Sequence, residues 1–423
     1  MTAPSSRISL RYMSRFACLG PACEDHCCHS WQVHVDQAHH ARIRRELRRA
    51  PQVLQRFESG CTLLPAPVRK KRTFARLQML PSGLCPMLDE DRLCALQRTG
   101  GEVLLPDICA VFPRFQTRVR TRIEVTGVLS CPEVTRLCLL HPDATDIIDI
   151  GPEMLRRPEQ IEGLDPKIPA ELLSFTEAVR SRMHALLGLE DFPLESRMYF
   201  VLELVNQLRP LALDSPVVPQ ILTCLGEVDL LLDLHKHFRD QCRRMSVNLD
   251  AVAAALTLIA GKLPQARFTQ LATSILRSYL PASALSETDE VQVPIAQLVP
   301  EYLRRREVVL GAFADRVNLY FQNYLRHLWM REWYPQLAGL DGYVRSQVLR
   351  LALLRFLLLG HPEAERAAGD AEGGQQRLDQ LAVQLVYTLS RAVDSASDVM
   401  EGFHKTAVER IPDLNAAIRQ LMV

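Results

Sequence analysis

The chain has 423 residues, 48% of them hydrophobic and 23% charged. That is the balance of a folded globular protein, and it excludes a disordered or collagen-like chain. The net charge of +1 conceals an asymmetry: residues 1–125 carry 20 basic against 11 acidic side chains, and the remainder carries 30 against 38. A basic first part suits an acidic partner or an anionic cofactor. No basic–aromatic pattern of a nucleic-acid binder accompanies it. No apolar run approaches the ~20 residues of a membrane span. The first fifteen residues lack the apolar core of a secretory signal, so a cytoplasmic chain with no membrane partner is expected.

In chain order, the first 140 residues are broken by Pro, Gly and Cys. Asp36–Arg49 reads as one helix, with Asp36 as its N-cap and Ile43 and Leu47 on its buried face. Arg118–Leu129 alternates apolar and polar residues and predicts one or two short strands. His141–Pro169 contains five prolines, which predicts a linker over 146–168 between domains at 1–145 and 169–423. From Ala170 onward apolar stripes recur at helical spacing. Leu310, Phe313, Val317, Tyr320, Phe321, Tyr324 and Leu328 form one, with Pro300 near its start and Pro335 as its stop. Val344, Val348, Leu351, Leu354 and Leu358 form a second, ended by Gly360 and Pro362, and Leu378, Leu381, Leu385, Leu389 and Val393 a third. Faces of this kind must bury against one another. The expected fold class is therefore mainly α: an N-terminal cysteine-rich, metal-binding domain with little regular structure, followed by an all-α helical domain.

Cysteine carries the functional signal. Of twelve cysteines, ten lie between Cys18 and Cys138. In a cytosolic chain, clustered thiols favour a metal site over a disulfide framework. Eight of them fall in four short motifs: Cys18, Cys23, Cys27 and Cys28; then Cys85 and Cys94; then Cys109; then Cys131. Thiolates suit zinc or iron–sulfur centres and disfavour magnesium or calcium. The paired Cys-x2-Cys knuckles of a zinc ribbon are absent, and iron–sulfur clusters tolerate looser spacing. Four thiolates complete one 4Fe–4S cluster, and eight could serve two. His26 and His29 stand in ligand positions but compete with eight thiols. Cys61, Cys138, Cys224 and Cys242 read as small buried apolar residues.

The motifs Tyr12-Met-Ser-Arg-Phe-x-Cys18, Cys23-Glu-Asp-x-Cys-Cys28-x-x-Trp31, Gly83-x-Cys-Pro-Met-Leu, Leu93-Cys-Ala-Leu, Leu105-Pro-x-x-Cys109-x-x-Phe-Pro-Arg114 and Leu129-Ser-Cys-Pro-Glu133 resemble those of the flagellin lysine N-methylases. That family belongs to a wider group named for its CxxCxxCC metal-chelating cysteines. The resemblance is dense over residues 12–140. It is weaker in the helical part, where Asn323-Tyr-Leu and the aromatic-proline pair Tyr334-Pro335 are similar. It implies transfer of a methyl group from S-adenosylmethionine to lysine ε-amines of flagellin, with an iron–sulfur cluster.

Neither common frame for that cofactor is present. There is no G-x-G-x-x-G turn. Cys23-x3-Cys27 begins the radical-enzyme spacing Cys-x3-Cys-x2-Cys, but the next required position is Ser30. Either the cofactor site is built in another way, or the chain is not a methyltransferase. Displacement at a methyl group needs a neutral lysine and a carboxylate that takes its proton. Glu24 and Asp25, set between the thiols, are the catalytic candidates. Trp31 could stack on an adenine or face a sulfonium, Arg114 could pair with a cofactor carboxylate, and Glu133 sits beside Cys131. The rival reading is a non-enzymatic iron–sulfur or zinc metalloprotein acting as a redox sensor or partner-binding adaptor.

Overall fold

Asp36 does what its place in the sequence predicts. Its side chain accepts the backbone N–H of His39 at 2.9 Å and starts α1 (Gln37–Glu46), whose Ile43 is fully buried, as is Leu47 in the 3-10 turn that follows. The computed structural model describes residues 6–29, 31–242, 248–264, 266–280, 295–333, 339–394 and 397–422. The predicted end of a helix at Tyr334-Pro335 lies outside them. The chain forms two compact units: residues 1–9, 13–134 and 147–163 make the first, and residues 10–12, 135–146 and 164–423 the second.

The first unit is built from short pieces. In order they are β1 (Ser6–Leu10), β2 (Val33–Val35), α1, α2 (Pro51–Gly60), β3 (Cys61–Leu63), β4 (Ala75–Leu77), α3 (Ala95–Gly100), α4 (Asp107–Val111), β5 (Arg114–Val119) and β6 (Arg122–Gly127). The helix α5 (Pro132–Leu140), which belongs to the second unit from residue 135 onward, and β7 (Ile147–Asp149) of the first unit follow. One sheet has the order β2-β4-β3 and is antiparallel throughout. The other has the order β5-β6-β1-β7, with β1 parallel to β6. The alternation predicted over Arg118–Leu129 becomes the β5–β6 hairpin, which starts four residues earlier, at Arg114. Residues 146–168 are not bare connection. Ile147–Asp149 adds a strand, and Leu155 and Ile161 pack on Ile123 and Val125 of the sheet. Apolar residues spaced between the prolines drive that packing, which a count of prolines does not register.

The second unit is helical: α6 (Ala170–Leu187), α7 (Leu194–Leu208), α8 (Val218–Cys224), α9 (Val228–Cys242), α10 (Asp250–Lys262), α11 (Arg267–Arg277), α12 (Ile295–Arg331), α13 (Gly339–Leu359), α14 (Pro362–Ala368), α15 (Gly374–Asp394), α16 (Ser397–Arg410) and α17 (Leu414–Met422). With seventeen α-helices among the described residues, the chain is mainly α. The three predicted stripes fall on α12, α13 and α15. In α12, Val317, Tyr320, Phe321, Tyr324 and Leu328 are buried, so its aromatic residues are core. This helix starts before Pro300 and breaks at Phe313, whose φ of −137° and ψ of 26° are not helical. Every residue from Gly342 to Leu359 of α13 is buried, so α13 is the central helix of the unit. No described helix is long and apolar enough to cross a membrane.

Candidate metal centre

Local turns carry the thiols. Gly83, at a φ of +81°, closes a turn in which its N–H reaches the Leu80 carbonyl at 2.8 Å. That turn delivers Leu84 and Cys85 to the first cysteine loop: Leu84 bridges His29, and the Cys85 N–H donates to the Cys28 carbonyl at 3.0 Å. Residues 85–94 then double back as a tight loop. Leu88 bridges Cys94, and the Ala95 N–H donates to the Met87 carbonyl at 2.8 Å. The Asp89 carboxylate accepts the Leu93 N–H at 2.8 Å and pairs with Arg98 at 2.7 Å. Arg92, at a φ of 60°, sits at the tip and donates to the Cys23 carbonyl at 3.0 Å. Two thiol-bearing loops far apart in sequence are thereby tied together through their backbones.

The thiols fall into two groups that share Cys27. Cys27 and Cys28 are hydrogen-bonded, and Cys28, Cys85, Cys94 and Cys109 each lie within electrostatic reach of Cys27. Cys23 feels Cys18 and Cys27, while Cys131 feels Cys23 and Cys27. All eight motif thiols therefore belong to one neighbourhood in the first unit. Several accept backbone N–H groups just downstream: Cys23 from Asp25, Cys85 from Met87, Cys94 from Leu96 and Gln97, and Cys131 from Glu133 and Val134. Such bonds favour a thiolate. Burial outweighs them, pushing Cys85 up to about 11, Cys131 up to about 12 and Cys109 well above its ordinary value. The Cys27 hydrogen bond, followed by burial, raises Cys28. A bound cation reverses this balance and deprotonates coordinating thiols.

The donor set fits a soft metal group. Thiolates suit zinc and iron–sulfur groups alike. Ligating atoms of Asp36, His39 and Asp107 lie within 4.8 Å of one another. There Arg157 Nε and Gln160 Nε2 already bond the Asp107 carboxylate at 2.9 and 2.6 Å, and Asp36 caps α1. We read that group as a brace on α4, which carries Cys109.

The remaining sequence candidates are placed as follows. Glu24 is exposed and Asp25 buried, both inside the first cysteine loop. Trp31 packs edge-on to Phe112 at 5.3 Å and against the core of the first unit. Arg114 is half-buried, with its guanidinium 5.5 Å from the centre of the Phe16 ring. Burial and the nearby Arg156 charge hold its pKa below the usual arginine value. Glu133 lies in the first turn of α5 and donates its N–H to Cys131. Cys61 is raised to about 11 by burial alone, and Cys138 is fully buried, its thiol 3.9 Å from the Asn323 carbonyl. Cys224 is exposed and Cys242 half-buried, on α8 and α9. Sequence reasoning missed Arg56, Arg92 and the Asp36–His39–Asp107–Arg157 brace. Only the N-cap position of Asp36 signalled any of these.

No protein-family model and no solved structure matches the chain. Three curated proteins do, each over 135 residues. The lysine-N-methylase of Salmonella typhimurium is 34% identical, across 31% of this chain and 32% of that protein. The lysine-N-methylase of Salmonella choleraesuis is 33% identical with the same coverage, so the match spans about a third of either enzyme. The flagellar biosynthetic protein FliU of Salmonella muenchen is 33% identical across 31% of this chain and 76% of its own length. The cysteine motifs and these relatives lead to the same conclusion: the chain belongs to the flagellin lysine N-methylase family.

Proposed function

We propose that the protein is an S-adenosylmethionine-dependent protein-lysine N-methyltransferase acting on flagellin in the cytoplasm, and that its first unit holds a cysteine-ligated 4Fe–4S cluster. The observation that carries the metal reading is the gathering of six motif thiols around Cys27, with Cys18 beside one of them, Cys23. The names of the relatives support the methyl-transfer reading. Cys28, Cys85, Cys94 and Cys109, together with Cys27, form the closer-knit set and would hold the cluster. Cys18, Cys23 and Cys131 form the second set.

S-adenosylmethionine would supply an electrophilic methyl group on a positively charged sulfur. A lysine nitrogen that takes it must lose a proton. Glu24 is exposed, so an incoming lysine can reach it. It is the residue we assign to accept that proton, with the buried Asp25 adding negative charge behind it. Arg114 is the residue we assign to the cofactor carboxylate, since its half-buried guanidinium packs on a ring and has Arg156 as a like-charged neighbour. Trp31 and Glu133 would line the same neighbourhood.

The test is transfer of labelled methyl to purified flagellin by chain prepared without oxygen, read by mass spectrometry of lysine peptides. Iron, sulfide and visible absorption are measured on the same sample. Glu24→Gln combined with Asp25→Asn should slow turnover while the visible spectrum stays. Parental turnover in that variant would remove the acid–base role. Iron without methyl transfer to any lysine would favour the sensor or adaptor reading.

A further inference from the structure

Arg56 projects from α2 onto the loop that carries Cys85 and Cys94. Its Nε donates to the Pro86 carbonyl at 2.5 Å and its Nη2 to the Leu88 carbonyl at 2.6 Å. These two carbonyls flank Met87, whose own N–H donates to the Cys85 thiol and whose carbonyl accepts the Ala95 N–H beside Cys94. One guanidinium therefore fixes the stretch of backbone that aims both thiols. One helical turn further along α2, Gly60 touches the same loop. A Cβ there would stand 2.6 Å from Pro86 Cβ, so only glycine lets helix and loop approach this closely.

The charge of Arg56 meets carbonyls rather than a carboxylate. Arg44, Arg98, Arg156 and Arg157 of the same unit each meet a carboxylate. Arg56 is half-buried, and among the described residues no carboxylate pairs with it. A half-buried guanidinium that meets only neutral carbonyls keeps its positive charge, and its field reaches the Cys85 thiol.

We propose that Arg56 is a positioning residue of the cysteine centre: it clamps the Cys85–Cys94 loop in ligating shape and sets beside it a positive charge that favours the reduced state of the bound metal group. This rests on the metal reading above. Thiolate clusters are anionic and gain negative charge on reduction, and their potentials follow net charge and hydrogen bonding nearby. Residues that orient metal ligands from outside typically change metal affinity by about 10- to 100-fold when lost.

The full chain purified anaerobically with its metal would be compared with Arg56→Gln and Arg56→Lys. Retention of metal against a chelator and the midpoint potential would be measured. Glutamine should weaken retention by about tenfold or more and move the potential to more negative values. Lysine keeps the charge but cannot fork to two carbonyls. It should hold the potential near the parent value while retention stays weak. Parental retention and potential in Arg56→Gln would overturn the proposal. A redox-silent zinc centre would overturn the charge role and leave retention to decide the clamp. A parent chain that binds neither iron nor zinc would overturn the metal reading itself, and this role with it.

Discussion

Cys27 lies within electrostatic reach of both groups of cysteines, so its loss should be felt by both. Cys27→Ala is expected to strip most of the metal and to lower the melting temperature, because metal binding and folding are linked. Cys61→Ala is the contrast: a half-buried thiol packed on the core should cost about 1 kcal/mol and leave metal content unchanged. Metal analysis and thermal unfolding of the two variants check this, and equal metal loss in both would break the distinction. The cysteines were legible in the sequence because a thiol announces its chemistry and short loops keep its neighbours close. Asp36, Ile43 and Leu47 were legible because a cap and a helical period are local. Arg56 and Arg92 were not. Their partners are backbone carbonyls of residues 30 to 69 positions away, and a carbonyl leaves no mark in a sequence.

At the scale of elements, helical period revealed α12, α13 and α15, and local alternation revealed the β5–β6 hairpin. The parallel pairing of β1 with β6 joins residues 116 positions apart and has no local signature. The break at Phe313 interrupts α12 without a proline at that position. Burial on all sides gives α13 a distinctive liability, since it carries Arg350 inside the core. Arg350 meets Asp394 at 3.1 Å and Glu332 at 3.6 Å, Arg331 reaches Asp394 at 3.3 Å, and Ser390 donates to Asp394 at 2.7 Å. The two arginine charges hold the Asp394 carboxyl below the usual range despite its burial. Asp394→Ala would leave both guanidinium groups to share Glu332 alone and should cost about 3–5 kcal/mol in denaturant unfolding. A loss under 1 kcal/mol would mean that water reaches the pair.

Two histidines of the helical unit add a pH dependence. His184 donates from Nε2 to the Thr145 carbonyl at 3.0 Å, and Arg326 points at its Nδ1 from 3.4 Å, so the ring is held neutral. His327 is fully buried, with Nδ1 2.9 Å from the Tyr12 hydroxyl. Burial depresses both to about 3. Above the unfolded value of about 6.5 neither state is protonated, and the stability is fully present. As pH falls below 6.5 the unfolded chain binds protons first. Each ring then costs about 1.4 kcal/mol of stability per pH unit until the folded chain protonates near 3. Urea midpoints should therefore fall between pH 7 and pH 5. His327→Gln should flatten that slope, and an unchanged slope would show that its ring is charged or wet in the folded chain.

Across the whole molecule, long helices and motif thiols are segregated. The long helices lie between Ala170 and Met422 in the second unit, and all eight motif thiols lie within residues 13–134 of the first. The first unit has a core of its own, running from Val33 through Phe57 to Ala110, but several motif thiols pack on its margin, among them Cys28, Cys94 and Cys109. Five to eight thiols gathered without a cation form a poor core, because they are either charged and repelling or protonated and loosely packed. The second unit depends on no such group. Its stability comes from apolar stripes meeting around α13. Chelation of anaerobically prepared protein should therefore act on one unit alone. Protease sites within residues 13–134 should become cleavable, while the far-ultraviolet helix signal, carried mostly by the second unit, should fall only slightly. Re-addition of iron and sulfide should restore protection. A helix signal that collapses in step with the proteolysis would mean that the two units unfold as one, and the metal would then support the entire chain.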